Sequence, residues 1–343
     1  MRKYNVAILG ATGAVGQEFL QLIAERNFPF AELKLLASER SAGRKIEFLG
    51  KEYTVEEATA DSFKGVEIAL FAGGSASKTF APAAVKHGAV VIDNSSAFRM
   101  DPEVPLVVPE VNPEAITEHK GIIANPNCST IIMVMALKPI HDAVKIKRVV
   151  VSTYQAVSGA GKEAIDELSD QVKAVAENKP VEAKILPSAS LPAHYQIAFN
   201  LLPQVDVFMD DGYSKEELKM VQETQKILAD PSLAVTATTV RVPVFRSHSE
   251  SVNLELSGPL SAAEAKKLLA AFPGVVVEDD PSKQVYPMPL TTSGRDEVFV
   301  GRIREDSTVT HGLNLWVVGD QIRKGAALNA LQIAEYMIKH NLI

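Results

Sequence analysis

Cysteine is almost absent from this chain: Cys128 is the only one among 343 residues. A single thiol excludes an intrachain disulfide and any metal site built from several cysteines, and it suits a reducing compartment. The histidines show no metal-ligand spacing, such as two on one helical turn. The sequence therefore predicts a protein without a metal centre.

Long apolar runs and an excess of positive charge are also absent. No apolar stretch approaches the ~20 residues that span a bilayer, and the chain enters an apolar strand directly after Met1–Tyr4, with no signal-peptide pattern. The formal net charge is −7 with both signs interspersed, which leaves no electrostatic footprint for nucleic acid. We therefore expect a soluble cytoplasmic protein that binds neither membranes nor nucleic acids.

The N-terminal segment has the pattern of a dinucleotide-binding turn. Tyr4–Leu9 has the apolar character of a buried strand, and a helix with one apolar face follows, ending at about Arg26. Between them lie Gly10, Gly13 and Gly16, spaced as G-x-x-G-x-x-G, where backbone N–H groups can face a pyrophosphate. The segment predicts dinucleotide binding, with a merely structural turn as the alternative.

The end of the second strand bears on which dinucleotide binds. Leu33–Ala37 is followed by Ser38, with Arg40 and Arg44 close by. NAD-binding folds usually place an acidic residue at this strand end for the ribose hydroxyls, whereas hydroxyls and cations suit a 2′-phosphate. NADP is therefore the predicted cofactor, although Glu39 favours NAD and a solvated charged loop is the alternative.

Two further strand ends carry groups that suit ligands. The strand 66–71 ends in Ala72 and Gly73, small residues that let a cofactor approach the backbone. The strand 89–93 ends in a polar cluster, 94–99, and its Arg99 predicts an anion site at the carboxyl edge of the sheet.

The order of the segments predicts an α/β protein with two domains, and an apolar share of 46% is enough for two substantial cores. Strands and helices alternate in the first part of the chain, which predicts an N-terminal Rossmann-type doubly wound parallel sheet. Later strands have few helices between them, which predicts an α+β second domain with a largely antiparallel sheet. We assign 1–127 plus about 320–343 to an NADP-binding domain, and 128–319 to a catalytic and dimerisation domain.

The only cysteine lies at a strand-to-helix junction. An apolar run, 121–124, precedes Asn125–Thr130, and a helix-like run, 131–137, follows it. Cys128 is therefore expected at a helix N-terminus, where free N–H groups and the helix dipole favour the nucleophilic thiolate. Asn127 adds an amide donor for a negative oxygen. We expect the sulfur at the cofactor edge of the sheet; the alternative is a small buried hydrophobic residue.

His248 is a candidate partner for the thiolate. It lies in 241–250, a polar segment with two arginines that follows an apolar strand. An imidazole takes both protonation states near neutrality, since its unperturbed pKa is about 6.5. The alternative is a strand end with exposed charges.

Several segments together resemble the aspartate-β-semialdehyde dehydrogenase family. They are the glycine turn, 125–130, 155–161, 241–248 and 316–327. The Pro-Asn-Cys-Ser-Thr, Arg-Val-Pro-Val and Gly-Asp-Gln-Ile-Arg-Lys-Gly runs are specific in combination, and the resemblance covers essentially the whole chain. It implies a homodimer or homotetramer that reduces L-aspartyl 4-phosphate with NADPH to L-aspartate 4-semialdehyde, releasing phosphate, on the route to lysine, threonine, methionine and diaminopimelate.

The resemblance also implies roles for particular residues. Cys128 would be the nucleophile that forms a thioester, His248 the acid/base, and Gln155 the residue that orients the substrate. Arg241 would bind the α-carboxylate and Glu216 the ammonium group of the substrate. The implied phosphate-binding residues are Arg99, Asn127 and Lys219. The expected cofactor-binding residues are Gly10, Thr12, Gly13, Ala14, Val15, Ser38, Arg40, Ser41, Ala72, Gly73, Ser158, Gly159 and Gln321.

Other functions stay open at this point. N-acetyl-glutamyl-phosphate reductase shares the thiol-plus-hydride chemistry, but it should not need a carboxylate for a free α-ammonium. A non-catalytic NADP sensor needs the glycine turn but has no use for Cys128 and His248. A glyceraldehyde-3-phosphate dehydrogenase is disfavoured, because its cysteine lies in a different surrounding sequence.

Overall fold

The computed structural model describes residues 2–343. Two compact units divide the chain: unit 1 is Met1–Asn127 with Gly325–Ile343, and unit 2 is Cys128–Lys324. Each unit is built around a six-stranded sheet of its own. Across residues 2–343, no helix is both long enough and apolar enough to cross a membrane.

The elements are named in chain order. The strands are β1 Tyr4–Leu9, β2 Phe30–Ala37, β3 Lys45–Phe48, β4 Lys51–Thr54, β5 Glu56–Glu57, β6 Ile68–Phe71, β7 Val90–Asp93, β8 Ile122–Ala124, β9 Ile146–Gln155, β10 Ala234–Arg241, β11 His248–Leu256, β12 Val275–Val277, β13 Val298–Asp306 and β14 Gly312–Gly319. The α-helices are α1 Ala14–Glu25, α2 Ala76–Lys86, α3 Cys128–Val144, α4 Lys162–Ala176, α5 Lys215–Ile227, α6 Ala262–Ala271, α7 Pro289–Thr292 and α8 Leu328–Lys339.

Unit 1 contains a parallel sheet in the order β5-β2-β1-β6-β7-β8. The central strands β1 and β6 are apolar apart from Asn5, and Ile8 and Leu70 are completely buried because both faces of the sheet are covered. Phe19 of α1 and Leu331 of α8 belong to the core on one face, and Phe63 belongs to the core on the other. The predicted doubly wound parallel sheet is confirmed.

The parallel order brings the carboxyl ends of these strands to one edge of the unit 1 sheet. The glycine turn follows β1, Ser38 follows β2, Ala72 follows β6 and Asn94 follows β7. Ligands of open α/β sheets bind outside this edge, so the segments predicted to bind ligands in unit 1 lie on the appropriate side.

Unit 2 contains a mixed sheet in the order β10-β9-β11-β14-β13-β12. Its three central pairings are antiparallel, and its two outer pairings are parallel. Along β9, Val149, Val151, Thr153 and Gln155 are buried, while the residues between them are partly exposed. The alternation shows that one face of the sheet is covered, and the predicted α+β domain with a largely antiparallel sheet is confirmed.

Helix α3 covers the buried face of the unit 2 sheet, where it packs against β9, β11, β13 and β14. Ile131–Leu137 is apolar and fully buried, as expected for a helix that is hydrophobic on all sides. Helices α5 and α6 pack beside it. The run 214–217 predicts a capping box and the run 261–264 predicts a helix start, and both are confirmed. Ser214 and Ser261 accept from the backbone N–H groups of Glu217 and Glu264, and each helix begins with a capping box.

The sequence pattern predicts a strand over 251–256, and the start of this strand is wrong. Strand β11 begins at His248, because its ladder with β14 extends to His248 opposite Gly319. His248 is therefore a strand residue rather than a loop residue, which bears on function. The sequence also predicts a last helix from about Arg323, and the helical backbone begins there with the π-helical turn Arg323–Ala327, which continues into α8 at Leu328.

Candidate active site

Three buried polar side chains meet at one end of the unit 2 sheet. Gln155 ends β9 and Arg241 ends β10, where the two residues are partners in a parallel ladder. Strand β11 runs the other way and begins there with His248, because Ser249 pairs with Tyr154. Gln155, Arg241 and His248 are only 1%, 3% and 0% exposed. Strand pairing therefore collects three residues that are far apart in the chain.

Cys128 is the first residue of α3 and is half-buried, which confirms its predicted position at a helix N-terminus. The next residue, Ser129, accepts a hydrogen bond of 3.0 Å at Oγ from Nε2 of Gln155. Burial lowers the pKa of Arg241, and attraction by Glu216 and Cys128 acts in the opposite direction. The hydrogen bond from Gln155 thus joins the start of α3 to the end of β9. The thiol of Cys128 lies within electrostatic reach of the guanidinium of Arg241.

His248 is held through Nδ1, which accepts a hydrogen bond of 3.0 Å from the backbone N–H of Ala156. Its Nε2 has no hydrogen-bond partner in residues 2–343. Burial lowers the pKa of His248 well below its ordinary value, and the charge of Arg241 lowers it further. The ring is therefore neutral at neutral pH and carries its proton on Nε2.

Gly159 leaves the space that Arg241 and His248 occupy. A methyl group on its Cα would lie 2.9 Å from Nη1 of Arg241 and 3.2 Å from Nε2 of His248. Contacts of this length are closer than carbon atoms normally tolerate, so the two side chains pack directly on the glycine backbone. Gly159 was predicted to contact the cofactor; within unit 2, its packing partners are these two side chains.

Polar contacts continue from Gln155 onto α5. Nε2 of Gln155 lies 3.3 Å from Oε1 of Glu216, and Oε2 of Glu216 lies 3.2 Å from Nζ of Lys219. On the other side, Nη1 of Arg241 donates to the carbonyl of Ala156 at 2.8 Å and lies 3.5 Å from Oε1 of Gln155. Unit 2 therefore unites Gln155, Arg241, Glu216 and Lys219 in one network.

Gln321 connects the two segments that flank His248 in space. Its Oε1 accepts a hydrogen bond of 2.8 Å from the backbone N–H of Ser247, and its Nε2 donates to Oγ of Ser158. Gln321, which follows β14, thus holds both Ser247, the residue before His248, and Ser158, in the turn after β9. Within unit 2 these contacts give Gln321 and Ser158 a structural part in the site.

Unit 1 has a cavity of about 490 Å³ at the carboxyl edge of its sheet. The predicted cofactor residues that line it are Gly10, Thr12, Gly13, Ser38, Ala72 and Gly73. Ser41 does not line it but places its hydroxyl 3.3 Å from that of Thr12. Ala14, Val15 and Arg40 are not among the lining residues either, whereas the carboxylate residues Glu39 and Glu57 are.

Two glycines of the turn are required by close packing of the backbone. Gly10 has a φ of +84°, and a Cβ there would lie 2.7 Å from the carbonyl oxygen of Ala72. A Cβ on Gly16 would lie 2.2 Å from the carbonyl oxygen of Gly10, so α1 packs directly on the turn. Helix α1 begins at Ala14, and no side chain of the described residues caps it. Its first N–H groups are therefore available to a bound anion, which fits the pyrophosphate of a dinucleotide.

A buried arginine is fixed at the end of β7 in unit 1. Arg99 donates from Nε to the carbonyl of Asn125 at 2.9 Å and from Nη2 to the carbonyl of Asn94 at 2.8 Å. Nδ2 of Asn125 donates to Oδ1 of Asn94 at 3.0 Å, and Asn329 of α8 donates to Oδ1 of Asn125 at 2.7 Å. These bonds fix Arg99 and the polar cluster after β7 against Asn125, which precedes Asn127 by two residues.

Comparison with known proteins matches both units to one family. A model of the semialdehyde dehydrogenase NAD-binding domain matches residues 5–119, and a model of the semialdehyde dehydrogenase dimerisation domain matches residues 137–324. Curated relatives include the aspartate-semialdehyde dehydrogenase of Aquifex aeolicus, 59% identical over 99% of both chains. That of Bacillus subtilis is 55% identical over 100% of this chain and 99% of its own. The chain belongs to the aspartate-semialdehyde dehydrogenase family.

Solved structures of the aspartate-semialdehyde dehydrogenase family share the fold. Aspartate semialdehyde dehydrogenase II of Vibrio cholerae is 50% identical, with a TM-score of 0.93 over 98% of this chain and 99% of its own. A structure of the same enzyme was solved in complex with ASA. The enzyme of Candida albicans with NADP has a TM-score of 0.76 at 26% identity over the whole of both chains. The resemblance predicted from the sequence is confirmed.

Sequence reasoning missed several residues that hold the polar networks within each unit. Asp320 is completely buried and accepts from Nε of Arg246 at 2.5 Å and from the N–H of Gly294 at 2.7 Å. The sequence feature that could have revealed Asp320 is its place in the Gly-Asp-Gln-Ile-Arg-Lys-Gly run. No sequence feature reveals Asn329, since a helical asparagine is usually solvated. Ala156 acts through its backbone, which no side-chain type reveals.

Glu250 is a buried carboxyl group on the same face of β11 as His248. It pairs with Thr153 of β9 and Val317 of β14 and is 0% exposed. Neither carboxyl oxygen has a hydrogen-bond partner in the part of the chain that the structure describes. Burial raises the pKa of Glu250 well above its ordinary value of 4.5. The folded protein therefore keeps this group protonated where the unfolded chain ionises it.

Replacing Glu250 with glutamine should stabilise the protein, and more so as the pH rises. Above the unfolded pKa, wild-type folding takes up a proton at Glu250, which lowers the free energy of unfolding by about 1.4 kcal/mol per pH unit until the folded pKa is reached. Glutamine stays neutral and lacks this loss. Urea unfolding at several pH values above 4.5 measures the difference, with Glu255→Gln, partly exposed on the same strand, as control. A pH-independent effect of Glu250→Gln would contradict the prediction.

Proposed function

We propose that this chain catalyses the NADPH-dependent reductive dephosphorylation of L-aspartyl 4-phosphate to L-aspartate 4-semialdehyde. The observation that carries the proposal is the meeting of Gln155, Arg241 and His248 with the helix start that bears Cys128. A thiol within electrostatic reach of a buried guanidinium, at a site that also holds a neutral imidazole, suits covalent acyl transfer. The relatives named aspartate-semialdehyde dehydrogenase support the same reaction.

Cys128 is the proposed nucleophile. Its thiolate, favoured at the first turn of α3 and attracted by Arg241, attacks the acyl carbon of the substrate. The carbon–oxygen bond to phosphate breaks, which leaves a thioester on Cys128 and releases inorganic phosphate. Bound NADPH supplies the hydride that reduces this acyl group. The carbon–sulfur bond then breaks, which releases the aldehyde and restores the thiolate.

His248 is the proposed acid/base. Because the N–H of Ala156 holds Nδ1, the ring meets the reacting group through Nε2. From that atom the neutral ring donates a hydrogen bond to the negative charge that develops on the acyl oxygen or the sulfur. The pKa of His248 lies well below its ordinary value, so the neutral ring is available throughout the neutral pH range.

The substrate-binding groups are proposed from the same network. Nε of Arg241 has no partner in residues 2–343 and is available to the substrate α-carboxylate. The carboxylate of Glu216, which lies beside Gln155, is proposed to meet the substrate ammonium, and Gln155 is proposed to orient the acyl group. The residues proposed to bind the phosphate, as the family resemblance implies, are Arg99, Asn127 and Lys219.

The proposed cofactor is NADP(H), held by the glycine turn of unit 1. Ser38 lines the cavity there, and Arg40 follows it in the 3₁₀ turn Glu39–Ser41. Glu39 and Glu57 line the same cavity, and their charges oppose a 2′-phosphate. We therefore expect NADP to be preferred, with measurable use of NAD. Ser158, Gly159 and Gln321 are proposed to meet the nicotinamide end.

The reaction is tested by phosphate-dependent reduction of NADP with L-aspartate 4-semialdehyde, followed by nicotinamide absorbance and run in parallel with NAD. We expect kcat/KM for NADP to exceed that for NAD by at least about tenfold, because a charge-assisted contact to the 2′-phosphate is worth that much. Omitting phosphate should stop the reaction. Turnover of N-acetyl-glutamate semialdehyde alone would identify the related reductase instead, and a preference for NAD would overturn the cofactor assignment.

We propose a cytoplasmic homodimer or homotetramer that serves the biosynthesis of lysine, threonine, methionine and diaminopimelate. The match of residues 137–324 to a dimerisation-domain model supports self-association. The open face of the unit 2 sheet offers an area for it, where the partly exposed rings of Tyr154 and Trp316 lie tilted to each other by 47° at a centroid distance of 5.5 Å. The single free cysteine suits a reducing compartment.

A further inference from the structure

Lys219, the proposed phosphate ligand of unit 2, is held by two carboxylates. Its Nζ lies 2.9 Å from Oδ2 of Asp206 and 3.2 Å from Oε2 of Glu216, and its side chain is 23% exposed. Glu216 lies one turn earlier on α5, whereas Asp206 belongs to the loop that precedes this helix. Nothing in the proposed reaction yet explains Asp206.

Asp206 is itself held rigidly. Its backbone is left-handed, with a φ of +68°, and its Oδ1 accepts a hydrogen bond of 2.9 Å from the N–H of Val207. The carbonyl of Asp206 accepts a bond of 3.1 Å from Nε2 of Gln204. The carbonyl of Val207 in turn accepts from the N–H of Lys215 at 2.8 Å, which joins the loop to the start of α5. One carboxylate oxygen is thus fixed by the backbone, and the other is presented to Lys219.

We infer that Asp206 is a positioning residue, which holds the ammonium of Lys219 where it meets the phosphate of the substrate. The inference rests on the proposed function. Glu216 cannot do this alone, because its other oxygen lies against Gln155 and is proposed to meet the substrate ammonium. A lysine has a flexible stem, and an ammonium that is not held must be ordered again whenever phosphate binds.

A second role for Asp206, as a negative charge alone, predicts the opposite effect on phosphate binding. If Asp206 acted only through its negative charge, removing it would strengthen phosphate binding, since like charges repel. The geometry favours positioning, because Asp206 is locked in place and its free oxygen makes the shorter of the two contacts to Nζ. The two readings predict changes of opposite sign in the KM for phosphate.

Asp206 also helps Lys219 to keep its charge. Burial lowers the pKa of Lys219, but Glu216 from its own helix and Asp206 from the loop raise it by more, so the net shift is upward. Without Asp206 this pKa falls, and phosphate binding through Lys219 should fail at a lower pH than in the wild type. An arginine stays charged across this range, so adding Lys219→Arg should abolish the pH effect.

The test is steady-state kinetics of the phosphate-dependent oxidation with the intact protein. Asp206→Ala should raise the KM for inorganic phosphate about tenfold and leave kcat within about twofold, because the lost contact acts on binding. The KM should also begin to rise at a lower pH. Asp206→Asn should have a smaller effect, since its amide oxygen still accepts from Nζ. Asp210→Ala, an exposed acidic residue in the same loop, is the matched control and should behave as wild type.

A double-mutant cycle with Lys219→Ala tests the route of the effect. Asp206→Ala should raise the KM for phosphate in the wild-type background but not in the Lys219→Ala background. An unchanged or lower KM in a folded Asp206→Ala protein, or an equal rise in both backgrounds, overturns the inference and leaves the reaction intact. If Asp206→Ala does not fold, as thermal unfolding will show, Asp206→Asn decides in the same cycle. Absence of phosphate dependence in the wild type would overturn the proposed function instead.

Discussion

Replacing Cys128 with alanine should reduce turnover of L-aspartate 4-semialdehyde by about 10⁴-fold or more, because no acyl-enzyme can form and removal of a covalent nucleophile has costs of this size. NADP binding should be unchanged. The glycine turn and its cavity belong to unit 1, whereas Cys128 begins unit 2. The measurements are kcat with saturating substrates and the titration of NADPH fluorescence with each protein.

The single thiol provides a chemical control for this prediction. Cys128 is the only cysteine of the chain, so iodoacetamide should inactivate the wild type and find no thiol in Cys128→Ala. Mass spectrometry verifies that the modification is complete. A Cys128→Ala protein within about tenfold of wild-type turnover, or full activity after verified alkylation, would contradict covalent catalysis.

Replacing Arg241 with methionine should lower kcat/KM for the semialdehyde by about 10²- to 10³-fold, because truncating one partner of a buried charge pair costs this much binding energy. The variant removes the proposed carboxylate ligand and leaves Gln155 and the carbonyl of Ala156 without their Nη1 partner. Burial is the main cause of the low pKa of His248 and the charge of Arg241 is the second, and the variant removes this second cause. The acidic limb of the pH–rate profile should therefore move to higher pH.

The control for Arg241→Met is Arg148→Met, which makes the same change at an exposed position of β9. That variant should keep wild-type kcat/KM and pH dependence. A loss of less than about tenfold in Arg241→Met would show that another group binds the substrate carboxylate. An unmoved acidic limb would mean that His248 is not the group that titrates there.

Predictions of local structure were reliable where neighbours in the chain decide the outcome. The glycine turn, the starts of α5 and α6 at Ser214 and Ser261 and the helix that begins at Cys128 depend on residues within a few positions of one another. The start of β11 was misjudged for the opposite reason. His248 and the polar residues after it have the composition of a loop, and only their pairing with β9 and β14 makes them a strand.

The candidate site was predictable in its residue types but not in its environment. The resemblance supplied Gln155, Arg241 and Glu216, and their contacts depend on strand pairing and on the packing of α5. The bond from the backbone of Ala156 to Nδ1 of His248 cannot be foreseen from residue type, because every non-proline residue carries the same N–H. The charge state of the ring could not be foreseen either.

The sequence by itself determined the family, the alternation of elements and the single thiol at a helix start, since each depends on local order along the chain. The tertiary structure alone decided that Gln155 and Arg241, 86 positions apart, lie side by side. It alone also decided that His248 is neutral, because burial and a neighbouring guanidinium set its pKa. Both results come from hydrogen-bonded strands and a covering helix, which join residues that no short stretch of sequence contains.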